Sequence, residues 1–424
     1  MNYRQLSKEE LKEVLAQEKK RYQELVEKNL SYDMTRGKPG SNQLDLSNDL
    51  LGEKYIGNAK AASGTECRNY GVLDGIPEIK KLMADMMGTK PENVIVGGNS
   101  SLNMMFDTLM RFMVFGTSAD STPWGKLDKV KFICPVPGYD RHFLICEKLG
   151  IEMIPVELQE DGPDMEKVLE LVKDPAVKGM WSIPKYSNPS GVVYSDEKIC
   201  QLASMECAAP DFTIMWDDAY TVHYLGDAPA KQKNLIEACA EAGNPNRAYV
   251  FGSTSKITFP GSGIAVLASS VENIKYSLSY ITAQTIGNDK LNQLRHANFL
   301  KDYDGIVAHM EKHAEILRPK FNAVLEVLEE ELGGLGILEW TKPQGGYFVS
   351  INTLDGCATK VVAMANACGV KFTPAGATFP YRKDPRDRNI RIAPTLPPLE
   401  ELYEAIRVLC VCIKICSAEK LLEA

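Results

Sequence analysis

Long apolar runs are missing from this sequence. No stretch of about 18 consecutive apolar residues occurs in its 424 positions, which excludes a membrane-spanning helix by that criterion. Metal-ligating material is scarce as well. Only five histidines are present, and the eleven cysteines are scattered without a CxxC pair, so neither a zinc site nor a disulfide framework is expected. A basic excess is also lacking: 48 Lys and Arg against 56 Asp and Glu leave a net charge of −8, which argues against nucleic acid as a general partner. The first thirty residues are charged and amphipathic and lack the apolar core of a signal peptide. Together these absences lead to the expectation of a cytoplasmic protein whose cysteines are buried free thiols, including Cys410, Cys412 and Cys416 in the apolar run VLCVCIKIC. What is present is ordinary for a globular chain, with 44% hydrophobic and 25% charged residues, and the length suits about two domains.

Hydrophobic periodicity organises the chain. Leu11, Val14, Leu15, Tyr22 and Leu25 recur at helical spacing and predict a helix over 8–29. A Gly/Pro-rich segment, Thr35 to Asn42, follows. Short β-branched or apolar runs then alternate with longer charged stretches: Val94–Val96, Lys131–Ile133, Ile151–Val156, Gly179–Ile183, Phe212–Trp216, Tyr249–Phe251 and Ile264–Ala268. That alternation predicts βαβ units, and hence an α/β fold with a mostly parallel sheet flanked by helices. A helical stretch over 289–332, strands near 346–353, 370–374 and 389–393, and a last helix over 399–422 predict a smaller α+β unit. The boundaries expected are a large domain over 45–305 and a small one made from 1–44 and 306–424.

Chemistry-bearing residues fall at the ends of the predicted strands, where a doubly wound sheet binds ligands. In YVFGSTSKITFPGSG, Lys256 follows a strand and two hydroxyl residues, Ser253 and Ser255. A lysine kept partly neutral there can form a Schiff base, and the hydroxyls can hold a phosphate. Alone, such a lysine is usually a solvated surface residue. Its partners change the reading. FTIMWDDAY ends a strand with Asp217, 39 residues before the lysine, and carries Tyr220. A carboxylate so placed suits a pyridoxal-phosphate site, where the pyridine nitrogen must stay protonated for the ring to act as an electron sink. KYSNPSG places Asn188 after another strand, and its amide or the Tyr220 hydroxyl can donate to the ring's phenolic oxygen.

The ordered set Asn188-Pro-Ser-Gly, Asp217-Asp-Ala-Tyr220 and Ser253-Thr-Ser-Lys256 resembles the core of the fold-type I, class I aminotransferases, and the likeness runs over roughly residues 30–395. The resemblance implies a pyridoxal 5'-phosphate cofactor joined to Lys256. Asp217 would meet the pyridine nitrogen, and Asn188 and Tyr220 the phenolic oxygen. By the same likeness, Tyr139 in VPGYDRHF stacks on the cofactor ring and His142 orients the aspartate. The turn VGGNSSLN would cradle the phosphate through Gly98, Asn99 and Ser100. Tyr70, in RNYGVLDGIPEIK, matches a tyrosine that reaches the neighbouring subunit's site, which implies a homodimer with shared active sites. Arg391 in NIRIAP matches the arginine that grips the substrate α-carboxylate through two parallel hydrogen bonds. Gly37 in TRGKPG matches a glycine that admits backbone close to the substrate, and PQGGYF and FTPAG match segments that close over the site.

One departure is plain. The family usually carries an arginine shortly after the lysine to neutralise the phosphate, whereas this chain reads Pro260-Gly261-Ser262-Gly263-Ile264. The phosphate then needs another cation or more hydroxyls, with Ser262 a partial substitute. MTRGKPG, PGYDRHF and IGNDKLNQLRH are similar to the bacterial subgroup Ic aspartate aminotransferases, which share that replacement. The subgroup implies ping-pong transfer between L-aspartate and 2-oxoglutarate, hence a second cation for the distal carboxylate. Arg36, Lys38, Arg141 and Lys290 are the candidates, with Arg36 and Arg141 preferred. Alternative readings are an alanine or aromatic aminotransferase, a pyridoxal-phosphate β-lyase, or the effector-binding module of a MocR-type regulator. The last is disfavoured because a single helix of mixed charge precedes Asp33.

Overall fold

The structure, a computed structural model, describes residues 2–423. Its first long helix, Lys8–Glu27, starts where Ser7 and Glu10 satisfy each other's backbone N–H groups in a capping box. The helix leads to β1 (Tyr32–Asp33), which pairs in parallel with Val370–Lys371 far along the chain.

The central sheet comprises β2 (Val94–Val96), β3 (Lys131–Val136), β4 (Glu152–Gln159), β5 (Gly162–Pro163), β6 (Val177–Ser182), β7 (Thr213–Asp217), β8 (Ala248–Ser253) and β9 (Ala265–Ala268). Their spatial order is β2-β9-β8-β7-β6-β3-β4-β5. The run β8-β7-β6-β3-β4 is parallel, while β9 lies antiparallel to both β8 and β2, and β5 closes a hairpin on β4. Strands β6, β7 and β8 are buried along their whole length, as strands covered by helices on both faces must be. Their side chains alternate between two cores. Trp181, Met215, Tyr249 and Phe251 enter one, and Met180, Ile214, Trp216 and Val250 the other.

Every run expected as a strand of this sheet is one, with β3, β4, β6 and β8 longer than their apolar stretches suggest. The two-residue strands β1 and β5 were not expected, nor was β10 (Leu338–Trp340), which joins β11 (Val349–Thr353) and β13 (Asn389–Ile392) in an antiparallel sheet. β12 (Val370–Lys371) is the partner of β1. The helical stretch over 289–332 is two helices, Lys290–Leu300 and Tyr303–Leu332. Lys301 breaks it at φ 66°, and the Asp302 side chain caps the second helix by accepting from the Gly305 N–H. Among the described residues, no helix is long and apolar enough to cross a membrane.

The C-terminal helix, Leu399–Glu423, packs against both Lys8–Glu27 and Tyr303–Leu332, so the two chain ends meet in one layer. Cys410, Cys412 and Cys416 are buried free thiols on this helix. Across the same contact Lys414 Nζ lies 2.6 Å from Glu331 and 3.6 Å from Glu18, while Arg21 reaches both carboxylates at 3.1 Å. Burial alone would raise the Glu331 pKa, but the hydrogen bonds from Lys414 and Arg21 outweigh it and hold the group below its ordinary value.

Removing the ammonium leaves two carboxylates facing each other with one cation. Lys414→Met is therefore expected to cost about 3–5 kcal/mol in urea unfolding. In the parent protein the Glu331 contribution is present above the ordinary carboxylate pKa and is lost as pH falls toward the lower folded value. Unfolding midpoints measured from pH 7 down to pH 3 check that direction, and Lys414→Met should flatten the profile.

Candidate active site

The carboxyl ends of β6, β7 and β8 open onto a cleft of about 540 Å³. Its floor is lined by Asp217, Ala219, Tyr220, Ser253, Ser255 and Lys256, and its opposite side by Thr35, Arg36, Gly37, Lys38, Phe348, Thr373 and Arg391. Tyr139, Asp140, Arg141 and Asn188 complete the rim.

Asp217, the last residue of β7, is buried. Its Oδ2 lies 2.9 Å from His142 Nε2, while Oδ1 has no partner in the protein. The imidazole is held flat against Trp181 of β6, with ring centres 4.1 Å apart and planes within 5°. Tyr139 meets it edge-on at 5.0 Å. Burial, followed by the charge of Asp217, raises the Tyr139 hydroxyl to about 12, so it stays protonated. One carboxylate oxygen is thus fixed from behind, and the other is left for a donor in the cleft.

Lys256 stands in the turn after β8. Its Nζ lies 4.8 Å from the centre of the Tyr220 ring and 5.9 Å from that of Tyr347. Desolvation lowers its pKa, partly opposed by the charge of Asp217. An amine of this kind spends more time neutral, and hence nucleophilic, than a surface lysine. The Tyr220 hydroxyl is pushed well above its usual value by burial, then by Tyr139 and Asp217, and remains a donor.

Arg391 of β13 faces Lys256 across the cleft. Its Nη1 donates to Asn188 Oδ1 at 3.3 Å and its Nη2 to Thr373 Oγ1 at 3.1 Å and to the Thr35 carbonyl at 3.4 Å. Asp140 lies 3.6 Å away, and the guanidinium sits 4.8 Å over the Phe348 ring. Its buried Nε has no acceptor. A planar cation oriented on several sides with donor capacity left over is suited to a carboxylate.

Lys256, Asp217, Tyr220, Asn188, Ser253, Ser255, Tyr139, Arg391, Gly37, Arg36, Arg141 and Ser100 all line this one cleft. His142 adjoins it through Asp217. Five other positions lie outside this lining. Gly98 turns its carbonyl to the Ala265 N–H at 2.7 Å and borders a separate hollow beside Arg111. Asn99 braces the turn from behind, donating to the carbonyls of Pro260 and Gly261 at 3.2 Å each and accepting from Ser255 Oγ at 3.0 Å. The cleft is instead lined by Ser100, Ser101 and Leu102, at the start of helix Ser101–Phe115. There the Ser100 side chain makes no capping bond, so the first amides are open to a ligand. Lys290 is buried and donates to the Gly71 carbonyl at 3.0 Å, which removes it from the candidates for a distal carboxylate. Ser262 is exposed and lies outside the cleft lining. Tyr70 is 81% exposed and also outside the lining.

Residues that sequence reasoning did not single out also shape the site. Trp181 fixes His142; Asp140, Thr373 and Phe348 fix Arg391; Tyr347 flanks Lys256. Phe348 and Tyr347 belong to PQGGYF and Thr373 to FTPAG, so the segments were legible while the individual contacts were not.

A family model described as aspartate amino-transferase matches residues 6–424. The aspartate aminotransferase of Corynebacterium glutamicum is 47% identical over 401 residues, which cover 95% of this chain and 93% of that protein. A crystal structure of an aspartate transaminase from the same species superposes with a TM-score of 0.97 at 45% identity, covering 99% of each chain. A more distant structure shares the fold: the α-aminoadipate aminotransferase of Thermus thermophilus, complexed with N-(5'-phosphopyridoxyl)-L-leucine, has a TM-score of 0.74 at 20% identity and covers 91% of this chain and 92% of its own.

A Cβ placed on Gly37 would lie 2.3 Å from the tip of the Phe348 ring. Gly37→Ala is therefore expected to push that ring off the Arg391 guanidinium and weaken carboxylate binding by about tenfold, the order of a lost partly buried cation–π contact. Titration with a dicarboxylate such as maleate, set beside the parent protein, measures the change.

Proposed function

The chain belongs to the aspartate amino-transferase family, a family of pyridoxal-phosphate enzymes, and from that premise we propose that it moves the amino group of L-aspartate to 2-oxoglutarate. The observation that carries the reading is one cleft holding a desolvated lysine amine, a buried carboxylate with one free oxygen and an oriented arginine. The free Asp217 Oδ1 suits a protonated ring nitrogen. The helix-start amides at Ser101 and Leu102 and the hydroxyls of Ser100, Ser253 and Ser255 suit a phosphate. The donor and acceptor set therefore fits pyridoxal phosphate.

When bound, pyridoxal phosphate supplies an aldehyde carbon that links to amines and a ring that withdraws electrons from the linked Cα. In this reading Lys256 would hold the cofactor and, once free, would carry the Cα proton as acid and base, a role worth about 10²–10⁴-fold. Asp217 keeps the ring nitrogen protonated, His142 keeps Asp217 in place, and Asn188 and Tyr220 donate to the phenolic oxygen. Tyr139 covers the ring. Arg391 takes the α-carboxylate of amino acid and keto acid in turn, as two half-reactions in one site require. Arg36 and Arg141, both on the cleft, are the cations available to a distal carboxylate.

Residues 1–44 and 306–424 form a small unit in this reading, and Gly37, Phe348, Thr373 and Arg391 all belong to it. Closure of that unit would bring the carboxylate clamp down on Lys256 and exclude water. The active species is a homodimer. Phe106, Met110 and Val114 leave an apolar stripe exposed on helix Ser101–Phe115, and Tyr70 and Ile286 are 81% and 62% exposed, surface that a second copy would cover.

L-Aspartate alone should bleach the visible absorption of the cofactor-loaded protein, and 2-oxoglutarate should restore it. A spectrum indifferent to aspartate but bleached by alanine or an aromatic amino acid moves the specificity, and release of free ammonia makes the enzyme a lyase. Lys256→Ala should bind the cofactor without a borohydride-reducible link and show no turnover. Sedimentation at micromolar concentration should give a mass near twice that of the chain, and a monomer with full activity would defeat the shared site.

A further inference from the structure

Behind Lys256, on the side away from the cleft, lies a buried hydrogen-bonded chain that the reaction as described does not use. Ile257, the residue after the lysine, is fully buried, and its carbonyl accepts from two imidazoles at 2.9 Å each, His309 Nε2 and His313 Nε2. The two histidines stand four residues apart on one face of helix Tyr303–Leu332. With a proton on Nε2, His313 presents Nδ1 as an acceptor, and Gln43 Nε2 donates to it at 3.1 Å. The same amide nitrogen donates at 3.2 Å to the hydroxyl of Tyr347, whose ring flanks the lysine amine. The other end of the Gln43 amide accepts from the Gly40 N–H at 3.2 Å. Gly40 closes the segment whose residues Thr35 to Lys38 form the far wall of the cleft.

We propose that Gln43 and His313 are positioning residues, joining the substrate-side segment Thr35–Gly40 to the backbone at Lys256 through the unbroken chain Gly40–Gln43–His313–Ile257. The proposal rests on the reading that Lys256 carries the cofactor. Two features set it apart from ordinary core packing. Gln43 and His313 are both entirely buried, and every donor in the chain meets an acceptor in a single consistent direction. Burial, then the neighbouring His309, lowers the His313 pKa to about 4, so the neutral ring that the chain requires is the form present near neutrality. The chain therefore fixes where the lysine backbone sits relative to the segment that meets substrate, and a loosened chain misplaces the amine.

The test uses the cofactor-loaded enzyme and its visible band. Gln43→Met and His313→Leu keep volume and remove the hydrogen bonds. Each should move the pH midpoint of the band by about half a unit or more as the lysine's surroundings change. Each should also lower kcat on the order of tenfold with a smaller change in KM, because the amine is misplaced while the Arg391 clamp is intact. His313→Gln restores an acceptor toward Gln43 and an N–H toward Ile257 without an ionisable ring, and should bring the midpoint back toward the parent value. Nitrogen-15 spectra of histidine-labelled parent enzyme should show a neutral His313 with its proton on Nε2 at pH 7. That measurement decides the matter if a variant fails to fold, since an imidazolium or the opposite tautomer overturns the proposal. The band itself reports the cofactor reading. A parent protein with no band defeats both claims, whereas a band whose midpoint and kcat survive Gln43→Met and His313→Leu overturns the positioning claim alone.

Discussion

Asp217 is a carboxylate taken almost entirely out of water at the end of the central strand of a parallel sheet. Such a group is tolerated only where neighbours meet its charge and lone pairs. Here they meet half of it. His142 takes one oxygen, and the flat contact with Trp181 denies the imidazole any other orientation. The second oxygen faces the cleft without a protein partner. An oxygen left open in this way is suited to a donor that enters the cleft, and the fold around it reads as a receptacle. The nearby lysine amine, lowered by the same desolvation and raised by the same carboxylate, is the other half of the balance.

That constraint explains the division of labour between the two walls of the cleft. The sheet wall carries groups whose positions follow from strand ends: Asp217 on β7, Ser253 and then Lys256 after β8, Asn188 after β6. The facing wall carries the proposed anion clamp, and its chief member is placed with equal care. Arg391 comes from β13, is turned by Thr373 and the Thr35 carbonyl, lies over Phe348, and still reaches Asn188 on the other wall. A residue bonded to both walls registers their separation. The Gln43–His313 chain does the same from the buried side, so the distance between amine and carboxylate clamp is held at two places instead of one.

How much of this was legible in the sequence depended on whether the signal was local. Lys256, Asp217 and Asn188 each sit in a short motif at or after a strand end of the doubly wound sheet, where strand ends converge, so their meeting in one cleft could be foreseen; Arg391, inside β13 of the antiparallel sheet, was legible only through its motif. The turn expected to hold a phosphate does reach the cleft, but through Ser100, Ser101 and Leu102, since the Gly98 carbonyl is turned to the Ala265 N–H. The break at Lys301 was missed although its signal is local, since Asp302 is a capping residue and Asp304 and Gly305 are poor helix formers. Strands of two residues, such as β1 and β5, are too short to show a period. Contacts that join distant segments left the weakest trace. Asp140 beside Arg391 spans 251 positions by their numbers, and Gln43 to His313 spans 270. The one local hint, His309 and His313 at helical spacing, has many meanings until a carbonyl is seen between them.

The segment after the lysine, Pro260 to Ile264, carries no basic residue, and its loop is anchored by neutral groups. Two side-chain amides hold it. Asn99 donates to the carbonyls of Pro260 and Gly261, and Asn292 to those of Ser262 and Gly263, at 3.0–3.2 Å. Thr254 adds a third hold by accepting from the Ile264 N–H at 2.9 Å. These bonds are neutral, so they secure the shape of the loop but give no positive charge to an anion. In the proposed site the open helix start at Ser101, worth about half an elementary charge, and the surrounding hydroxyls would face a phosphate, while Arg36, Lys38 and Arg141 stand on the same cleft. Dipoles and hydroxyls act over short range, so they depend on exact placement. The amide-braced loop on one side and the His313 chain on the other provide that placement.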